Sequence, residues 1–151
     1  MSDPASATVH ASAVKVGPLA VLIRGPSGAG KSRLALDLIE AAPAHIPFAR
    51  LVADDRAFIE ARHGRLLVRP APELAGLLEV RGLGIRRLPY EAVAVAGLVV
   101  DLAAADADRL PAREAVETTV ARITLPRLPI APSHPALPAL LAMLHTAASG
   151  D

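Results

Sequence analysis

Eight consecutive residues near the start of the chain have the types and spacing of a phosphate-binding loop. They are Gly25, Pro26, Ser27, Gly28, Ala29, Gly30, Lys31 and Ser32, which fit the pattern G-x-x-x-x-G-K-[ST]. In such a P-loop, backbone N–H groups and a helix N-terminus surround an anion. The lysine is a compact charge that can follow a phosphoryl group during transfer, and the serine hydroxyl can bind Mg²⁺. The motif therefore predicts a nucleotide site.

The flanking sequence and the composition support this interpretation. An apolar run at residues 19–23 predicts a buried strand before the motif, and apolar residues at helical spacing over 34–39 predict a helix after it. The chain has only two lysines, Lys15 and Lys31, against fourteen arginines, so composition alone would not place a lysine in the motif. The alternative is a glycine-rich turn that binds nothing.

Two carboxylates follow the next predicted buried strand, at residues 50–53. Asp54 and Asp55 stand directly after it, and ligands of open α/β sheets bind at the carboxyl ends of strands. Two carboxylates in this place can hold Mg²⁺ or accept a proton from an acceptor hydroxyl. The alternative is a solvated turn or a helix N-cap.

A second glycine-rich segment also has residues suited to a phosphate site. Glu79 ends a strand-like run and is followed by Arg81, Gly82, Leu83 and Gly84. Two glycines one residue apart allow the backbone to approach a ligand closely, and an acidic and a basic side chain suit a metal and a phosphate. A salt bridge in a tight turn is the alternative.

Two isolated residues are further candidates for catalysis. His10 lies on a predicted strand that could pair beside the strand leading into the P-loop; a packed, hydrogen-bonded histidine is the alternative. Arg109 lies in a polar connection and could contact the transferred phosphate as a charge clamp. The alternative for Arg109 is a solvated surface side chain.

Composition excludes several classes of protein. The chain has 151 residues, which suits one domain, and its net charge of +1 argues against a general nucleic-acid surface. It has no cysteine, hence no disulfide frame or thiolate metal site. No apolar run reaches the roughly 18 residues of a membrane span, and no signal pattern is present, so we expect a cytoplasmic protein without membrane contacts. Hydrophobic residues make up 52% and aromatic residues 2%, which favours an aliphatic core typical of a buried parallel sheet under helices.

Apolar periodicity and turn residues predict the remaining elements. Strands are expected at 8–16, 19–23, 50–53, 58–61, 65–69, 77–80, 93–102 and 116–125, with a hairpin turn at His63-Gly64, and helices from the motif to about 42 and over 136–145. Five prolines within 126–138 require an extended or looped segment. The predicted fold class is α/β, a mixed sheet with flanking helices.

Four segments, in this order, resemble the HPr kinase/phosphorylase family. They are Val9-His10, the P-loop, Leu51 to Asp55, and Leu78-Glu79-Val80-Arg81-Gly82-Leu83-Gly84-Ile85, which is the most diagnostic of the four. Asp108-Arg109-Leu110 is a weaker fifth match. The resemblance implies an enzyme that moves phosphate from ATP or pyrophosphate to a regulatory serine of HPr, the small phosphocarrier of the sugar phosphotransferase system. It also implies the removal of that phosphate by inorganic phosphate, with release of pyrophosphate.

The resemblance implies a role for each candidate residue. Lys31 would grip the β- and γ-phosphates of ATP, and Ser32 and Glu79 would bind Mg²⁺, with Asp55 as a further metal candidate. Asp54 would be the base for the seryl hydroxyl. The catalytic supports would be His10 and Arg109, and residues 79–88, which include the signature loop Arg81-Gly82-Leu83-Gly84, would organise both reactions.

The implied architecture is a P-loop nucleotide-binding core that resembles phosphoenolpyruvate carboxykinase. We expect a disordered N-terminus over residues 1–8, one P-loop kinase domain over 9–146 and a disordered tail over 147–151, which resembles a short form consisting of the C-terminal catalytic domain. Relatives assemble as hexamers.

The sequence also departs from the family pattern. Arg33 stands where many relatives have an acid, and the proline-rich loop that serves the phosphorolytic reaction in relatives is represented only by residues 125–129. Phosphorolysis and the hexamer therefore stay open. Two other functions also stay open: a nucleotide-binding regulatory module of the phosphotransferase system with little turnover, and a small-molecule kinase.

Overall fold

β-Strands dominate the part of the chain that the computed structural model describes, residues 6–146. The strands are β1 (Ser6–Val9), β2 (Ala11–Val16), β3 (Leu19–Arg24), β4 (Ala49–Ala53), β5 (Ala57–Arg62), β6 (Arg65–Pro70), β7 (Leu77–Val80), β8 (Gly84–Arg87), β9 (Ala94–Asp101), β10 (Glu117–Val120) and β11 (Ile123–Pro129). The helices are α1 (Lys31–Ala41) and α2 (Ala136–His145). No helix within these residues is long and apolar enough to cross a membrane.

Nine of the strands form one mixed sheet. Its order is β1-β5-β6-β9-β3-β2-β4, and β11 pairs with both β9 and β10. Only the neighbours β3, β9 and β11 run parallel, whereas the other pairs are antiparallel. The prediction of a mixed sheet is confirmed, and the expectation of a parallel sheet holds only for this central group. β7 and β8 form a separate hairpin.

The two faces of β3 pack into two different cores. Ala20 and Leu22 point into a core closed by residues of β5, β6, β10 and β11. The alternate residues Val21 and Ile23 point into a core closed by α1 and α2. The flanking helices therefore cover one face, and the sheet bends so that its own outer strands cover the other.

A β-bulge in β9 changes which side chains face each core. Ala20 pairs with Ala96, but the next residue, Val21, pairs with Leu98, so Gly97 is passed over in the register. Before the bulge, Ala94 and Ala96 face the strand-covered core; after it, Leu98 and Val100 face the helix-covered core. An extra residue shifts side-chain alternation by one position, because the period of a strand is two.

Several predicted elements agree with the structure and others differ. The hairpin turn at His63-Gly64 is confirmed, with φ of 52° and 75°. The strand predicted at 8–16 is divided at His10 into β1 and β2, and β1 begins at Ser6, within the segment 1–8 that was predicted as a disordered N-terminus. The strand predicted at 116–125 is instead the β10–β11 hairpin, and β11 extends to Pro129. Residues 1–5 and 147–151, where disorder was also predicted, lie outside the described residues.

Packing of α1 on the sheet can be tested at Leu38. Its side chain is fully buried in the helix-covered core, so Leu38→Ala should lower the free energy of unfolding by about 2–5 kcal/mol, because it leaves a cavity. Chemical denaturation of the purified protein measures this change. Glu40→Ala, at an exposed position of the same helix, is the control and should change stability little. Equal stability of the two variants would contradict the described packing of α1.

Candidate functional site

A glycine-rich loop, residues 25–30, connects the end of β3 to the start of α1. Gly28 and Gly30 have φ of 82° and 103°, a region in which residues with a side chain are strained. Apart from atoms of the adjoining residues, nothing lies within 4 Å of the position that a Cβ would take at either glycine. The loop backbone therefore faces open space that a bound group can occupy.

Lys31 is the first residue of α1 and holds its ammonium group over this loop. Its side chain reaches back, and Nζ donates hydrogen bonds to the carbonyl oxygens of Gly25 at 2.9 Å and Pro26 at 3.3 Å. The residue is only 7% exposed. A positive charge is thus fixed beside the N-terminus of α1, where the helix dipole also favours an anion.

The carboxylate of Asp54 is the most highly connected acceptor in the site. Its Oδ1 accepts hydrogen bonds from the hydroxyls of Ser12 and Ser32, both at 2.7 Å, and its Oδ2 accepts one from the backbone N–H of Glu79 at 3.1 Å. Ser12 also accepts a hydrogen bond from the N–H of Asp55 at 3.2 Å. Asp54 is 8% exposed, so β2, α1 and β7 all meet at a buried carboxylate at the end of β4.

The adjacent Asp55 points elsewhere. Its φ of 66° is left-handed, its side chain is 64% exposed, and its Oδ1 lies 3.4 Å from Nδ1 of His10. Asp55 lines the cleft described below, whereas Asp54 does not. The two neighbouring carboxylates therefore occupy different surroundings, one buried and hydrogen-bonded, the other open to solvent.

A cleft of about 730 Å³ lies next to the glycine-rich loop. The loop and the first turns of α1 form one wall, and Asp55 with residues 79–81 forms the other. Of the predicted site residues, Lys31, Ser32, Asp55, Glu79 and the loop residues Ser27, Gly28 and Gly30 line it. Asp54 lies behind the cleft and accepts the hydrogen bond that the Ser32 hydroxyl donates, and His10 contacts Asp55.

The oxygen atoms in the cleft suit a divalent cation bound together with a phosphate. Ser32, Asp55 and Glu79 supply hydroxyl and carboxylate oxygens, the hard ligands that Mg²⁺ prefers. Within residues 6–146, no three or more His, Asp or Glu side chains enclose a complete metal cage. Mg²⁺ commonly uses one or two protein ligands plus water and substrate phosphates, so a partial set fits this role.

Two sets of predicted site residues, Arg109 and most of the signature loop, lie away from the cleft. Arg109 lies in the exposed connection between β9 and β10 and does not line the cleft. In the predicted signature loop only Arg81 lines the cleft. Gly82 and Leu83 lie in the outer turn of the β7–β8 hairpin, where Leu83 is 68% exposed, and Gly84 begins β8.

An ion-pair network that sequence reasoning missed lies at the ends of the three parallel strands. Asp101 accepts two hydrogen bonds of 2.7 Å from Arg24, its register partner, and one of 2.5 Å from Nε of Arg127. The guanidinium of Arg127 also donates to both carboxylate oxygens of Asp106, at 2.8 and 3.0 Å. Arg24 immediately precedes the glycine-rich loop, and Asp106 lies in the connection that carries Arg109. The available signal was that Arg24 directly follows the apolar strand predicted at 19–23 and that Asp101 stands near the end of the one predicted at 93–102.

The arginines determine the charge state of Asp101. Burial acts to raise the pKa of this carboxyl, but the hydrogen bonds from Arg24 and Arg127 outweigh it and hold the pKa below its ordinary value of 3.8. Asp106 has its pKa lowered chiefly by the hydrogen bond from Arg127. The same network raises the pKa of Arg127, first through Asp106.

Comparisons with known proteins agree with this geometry. Residues 4–132 match the family model described as HPr Serine kinase C-terminal domain. An HPr kinase/phosphorylase from Halalkalibacterium halodurans is 47% identical over 78 residues, 51% of this chain and 23% of that protein. One from Streptococcus thermophilus is 44% identical over 79 residues, 52% and 24% of the respective chains. The match therefore spans about a quarter of the length of these curated relatives.

A solved structure extends the similarity to most of the chain. The Hpr(Ser) kinase/phosphatase from Coxiella burnetii has a TM-score of 0.71 and 25% sequence identity, and the match covers 91% of this chain and 87% of that chain. The mixed α/β fold, with its large sheet and few helices, is therefore shared with that protein.

The ion-pair network makes stability depend on pH through Asp101. Because its folded-state pKa is lower than its ordinary value, its contribution is fully present above pH 3.8 and is lost as the pH falls towards the folded-state pKa. Asp101→Asn should therefore be less stable than the natural chain near neutral pH, and the difference should shrink in acid. Urea denaturation across this pH range measures it. Asp108→Asn, an exposed aspartate in the neighbouring connection, is the control; a difference independent of pH would contradict the role of Asp101.

Proposed function

The chain belongs to the HPr serine kinase C-terminal domain family, and we propose that it is a Mg²⁺-dependent kinase that transfers the terminal phosphoryl group of ATP to a serine of an HPr-type phosphocarrier protein. One observation carries the proposal. Lys31, Ser32, Asp55 and Glu79 line one cleft beside an open glycine-rich loop, and the family's named activity requires groups of these kinds.

The glycine-rich loop and Lys31 would bind the phosphates of ATP. Backbone N–H groups of the loop and of the first turn of α1 offer hydrogen bonds to phosphate oxygens. The ammonium group of Lys31 is already above the loop and would exchange carbonyl partners for phosphate oxygens. Its charge stabilises the negative charge that develops on the transferred group.

Ser32 and Glu79 would hold Mg²⁺, which when bound neutralises charge on the phosphate oxygens. Asp54 supports this site from beneath. By accepting the Ser32 hydroxyl hydrogen bond at 2.7 Å, it fixes the position of the serine oxygen, and the N–H of Glu79 donates to its other oxygen. We propose that Asp54 is a positioning residue for the two metal-binding residues.

The geometry favours Asp55 over Asp54 as the general base, which reverses the assignment expected from the sequence. Asp54 is buried and accepts three hydrogen bonds, whereas Asp55 faces the cleft and is mostly exposed. In the proposed step, the seryl O–H gives its proton to Asp55 while its oxygen forms a bond to the γ-phosphorus. The bond from that phosphorus to the β–γ bridging oxygen breaks, and ADP leaves. His10, 3.4 Å from Asp55, would orient this carboxylate.

The remaining candidate, Arg109, would have to approach the cleft to contact the transferred phosphate. It lies in the connection between β9 and β10, to which Arg127 is joined through Asp106. A catalytic role for Arg109 therefore requires this connection to move towards the glycine-rich loop when substrates bind.

The reverse reaction, removal of the phosphate by inorganic phosphate, would use the same phosphate site.

Lys31→Ala tests the kinase directly. Loss of a charge that acts on the transferring phosphoryl group should raise the barrier by about 3 kcal/mol, a loss of at least about a hundredfold in rate. The assay follows radiolabel from ATP to a purified HPr-type carrier. Lys15→Ala, at the only other lysine of the chain, is the matched control and should keep the natural rate.

The same assay separates the alternatives. Unchanged transfer by Lys31→Ala would contradict the role of Lys31. Nucleotide binding by the natural protein without labelled carrier would favour the regulatory module, and label on a metabolite would favour a small-molecule kinase.

The two aspartates can be separated by isosteric replacement. Asp55→Asn should bind ATP with Mg²⁺ normally but lose transfer about a hundred- to ten-thousandfold, since it removes only the base. Asp54→Asn puts an amide NH₂ where the carboxylate accepts hydrogen bonds, so it should weaken Mg²⁺-dependent ATP binding itself. Calorimetry and the transfer assay give the two measurements. The opposite pattern would return the base to Asp54.

A further inference from the structure

The cleft extends well beyond the residues that phosphate, metal and proton transfer require. Its outer part is lined by Arg33, Leu36 and Asp37 of α1 and by Val80 and Arg81 on the facing wall. Positions three and four residues apart lie on one face of a helix, so the three α1 residues present one continuous surface. This surface begins directly after Ser32, where a phosphate chain would leave the glycine-rich loop.

The outer part combines apolar side chains with a hydrogen-bond acceptor. Leu36 and Val80 are half-buried at the margin of the helix-covered core and offer apolar contact from opposite walls. Asp37 presents an acceptor-only carboxylate, and burial raises its pKa, against the opposing effect of Arg33 one turn earlier. Within residues 6–146, no group donates a hydrogen bond to Asp37 that would lower its pKa.

Within the part of the chain that the structure describes, no aromatic side chain is placed to stack on a heterocyclic base in the cleft. The chain's three aromatic residues are Phe48, Phe58 and Tyr90, and none lines the cleft. Aliphatic side chains pack well against the face of a heterocycle, and guanidinium planes such as those of Arg33 and Arg81 stack on aromatic rings. A carboxylate beside them suits a group that donates hydrogen bonds.

We propose that the outer part of the cleft is a nucleoside subsite, in which Leu36 and Val80 contact the face of the base and Asp37 accepts hydrogen bonds from the nucleoside. This proposal rests on the proposed function, because the triphosphate must occupy the glycine-rich loop. Two nucleoside groups can donate to Asp37, the sugar hydroxyls and the exocyclic amine of the base. Both supply the same hydrogen-bond chemistry.

Calorimetry with ATP and with tripolyphosphate, each with Mg²⁺, tests the subsite without relying on turnover. The natural protein should bind ATP more tightly than tripolyphosphate. Asp37→Ala should weaken ATP binding about ten- to hundredfold, as expected for a lost hydrogen bond to a charged group, and leave tripolyphosphate binding unchanged. Glu40→Ala, an exposed carboxylate on the same helix outside the cleft, should change neither.

Two nucleotide analogues identify the donor. If natural protein loses affinity for 2′-deoxy-ATP and Asp37→Ala does not, the sugar hydroxyl is the partner; the same pattern with inosine triphosphate assigns the amine. Asp37→Asn keeps the shape of the side chain, so a matching loss of ATP binding in this variant shows that the effect of Asp37→Ala does not come from misfolding. The inference is overturned if natural protein binds tripolyphosphate as tightly as ATP, or if Asp37→Ala weakens both ligands equally or neither. If natural protein binds neither ligand, the proposed function fails as well.

Discussion

The arrangement of the candidate site depends on one buried carboxylate, that of Asp54. Its oxygens accept hydrogen bonds from a strand hydroxyl, a helix hydroxyl and a backbone N–H of a third element. The three donors lie far apart along the sequence, at Ser12, Ser32 and Glu79. A buried carboxylate without donors is costly, and one with several is not. Once Asp54 is buried at the end of β4, β2, α1 and β7 must converge there, and their convergence defines the walls of the cleft.

The sequence predicted the local parts of this site well. The glycine-rich loop, the strand before it and the helix after it follow from a contiguous pattern, because each depends only on neighbouring residues. By contrast, the sequence of two adjacent aspartates does not indicate which side chain is buried and which faces solvent. Which of Asp54 and Asp55 turns inwards depends on the left-handed φ of Asp55 and on Ser12, 42 residues away from Asp54 along the chain. A single serine within an apolar strand has no pattern that would reveal it.

The same distinction applies to the fold. The turn at His63-Gly64 was predicted because its residue types favour left-handed backbone. Ala121 and Arg122 adopt φ of 48° and 71° as well, but neither residue type signals a turn, so the β10–β11 hairpin was predicted as one strand. The aliphatic composition favoured a parallel sheet, but composition does not determine the direction of each neighbouring strand, and most pairs are antiparallel. The parallel pairing of β3, β9 and β11, within a sheet whose other pairs are antiparallel, depends on contacts between residues far apart in the sequence.

The bulge at Gly97 determines on which side of the sheet a negative charge lies. Asp101 shares a face with Val99, towards the strand-covered core and the arginines, because Gly97 is passed over in the register. A Cβ at position 97 would lie 2.5 Å from Cδ1 and 2.9 Å from Cβ of Leu19, so glycine suits this close approach. Loss of one residue here would do more than shorten a strand. It would rotate the Asp101 carboxylate to the side of α1, leave Arg127 with Asp106 alone and Arg24 without its carboxylate partner, and set an anion near the place where phosphates are expected.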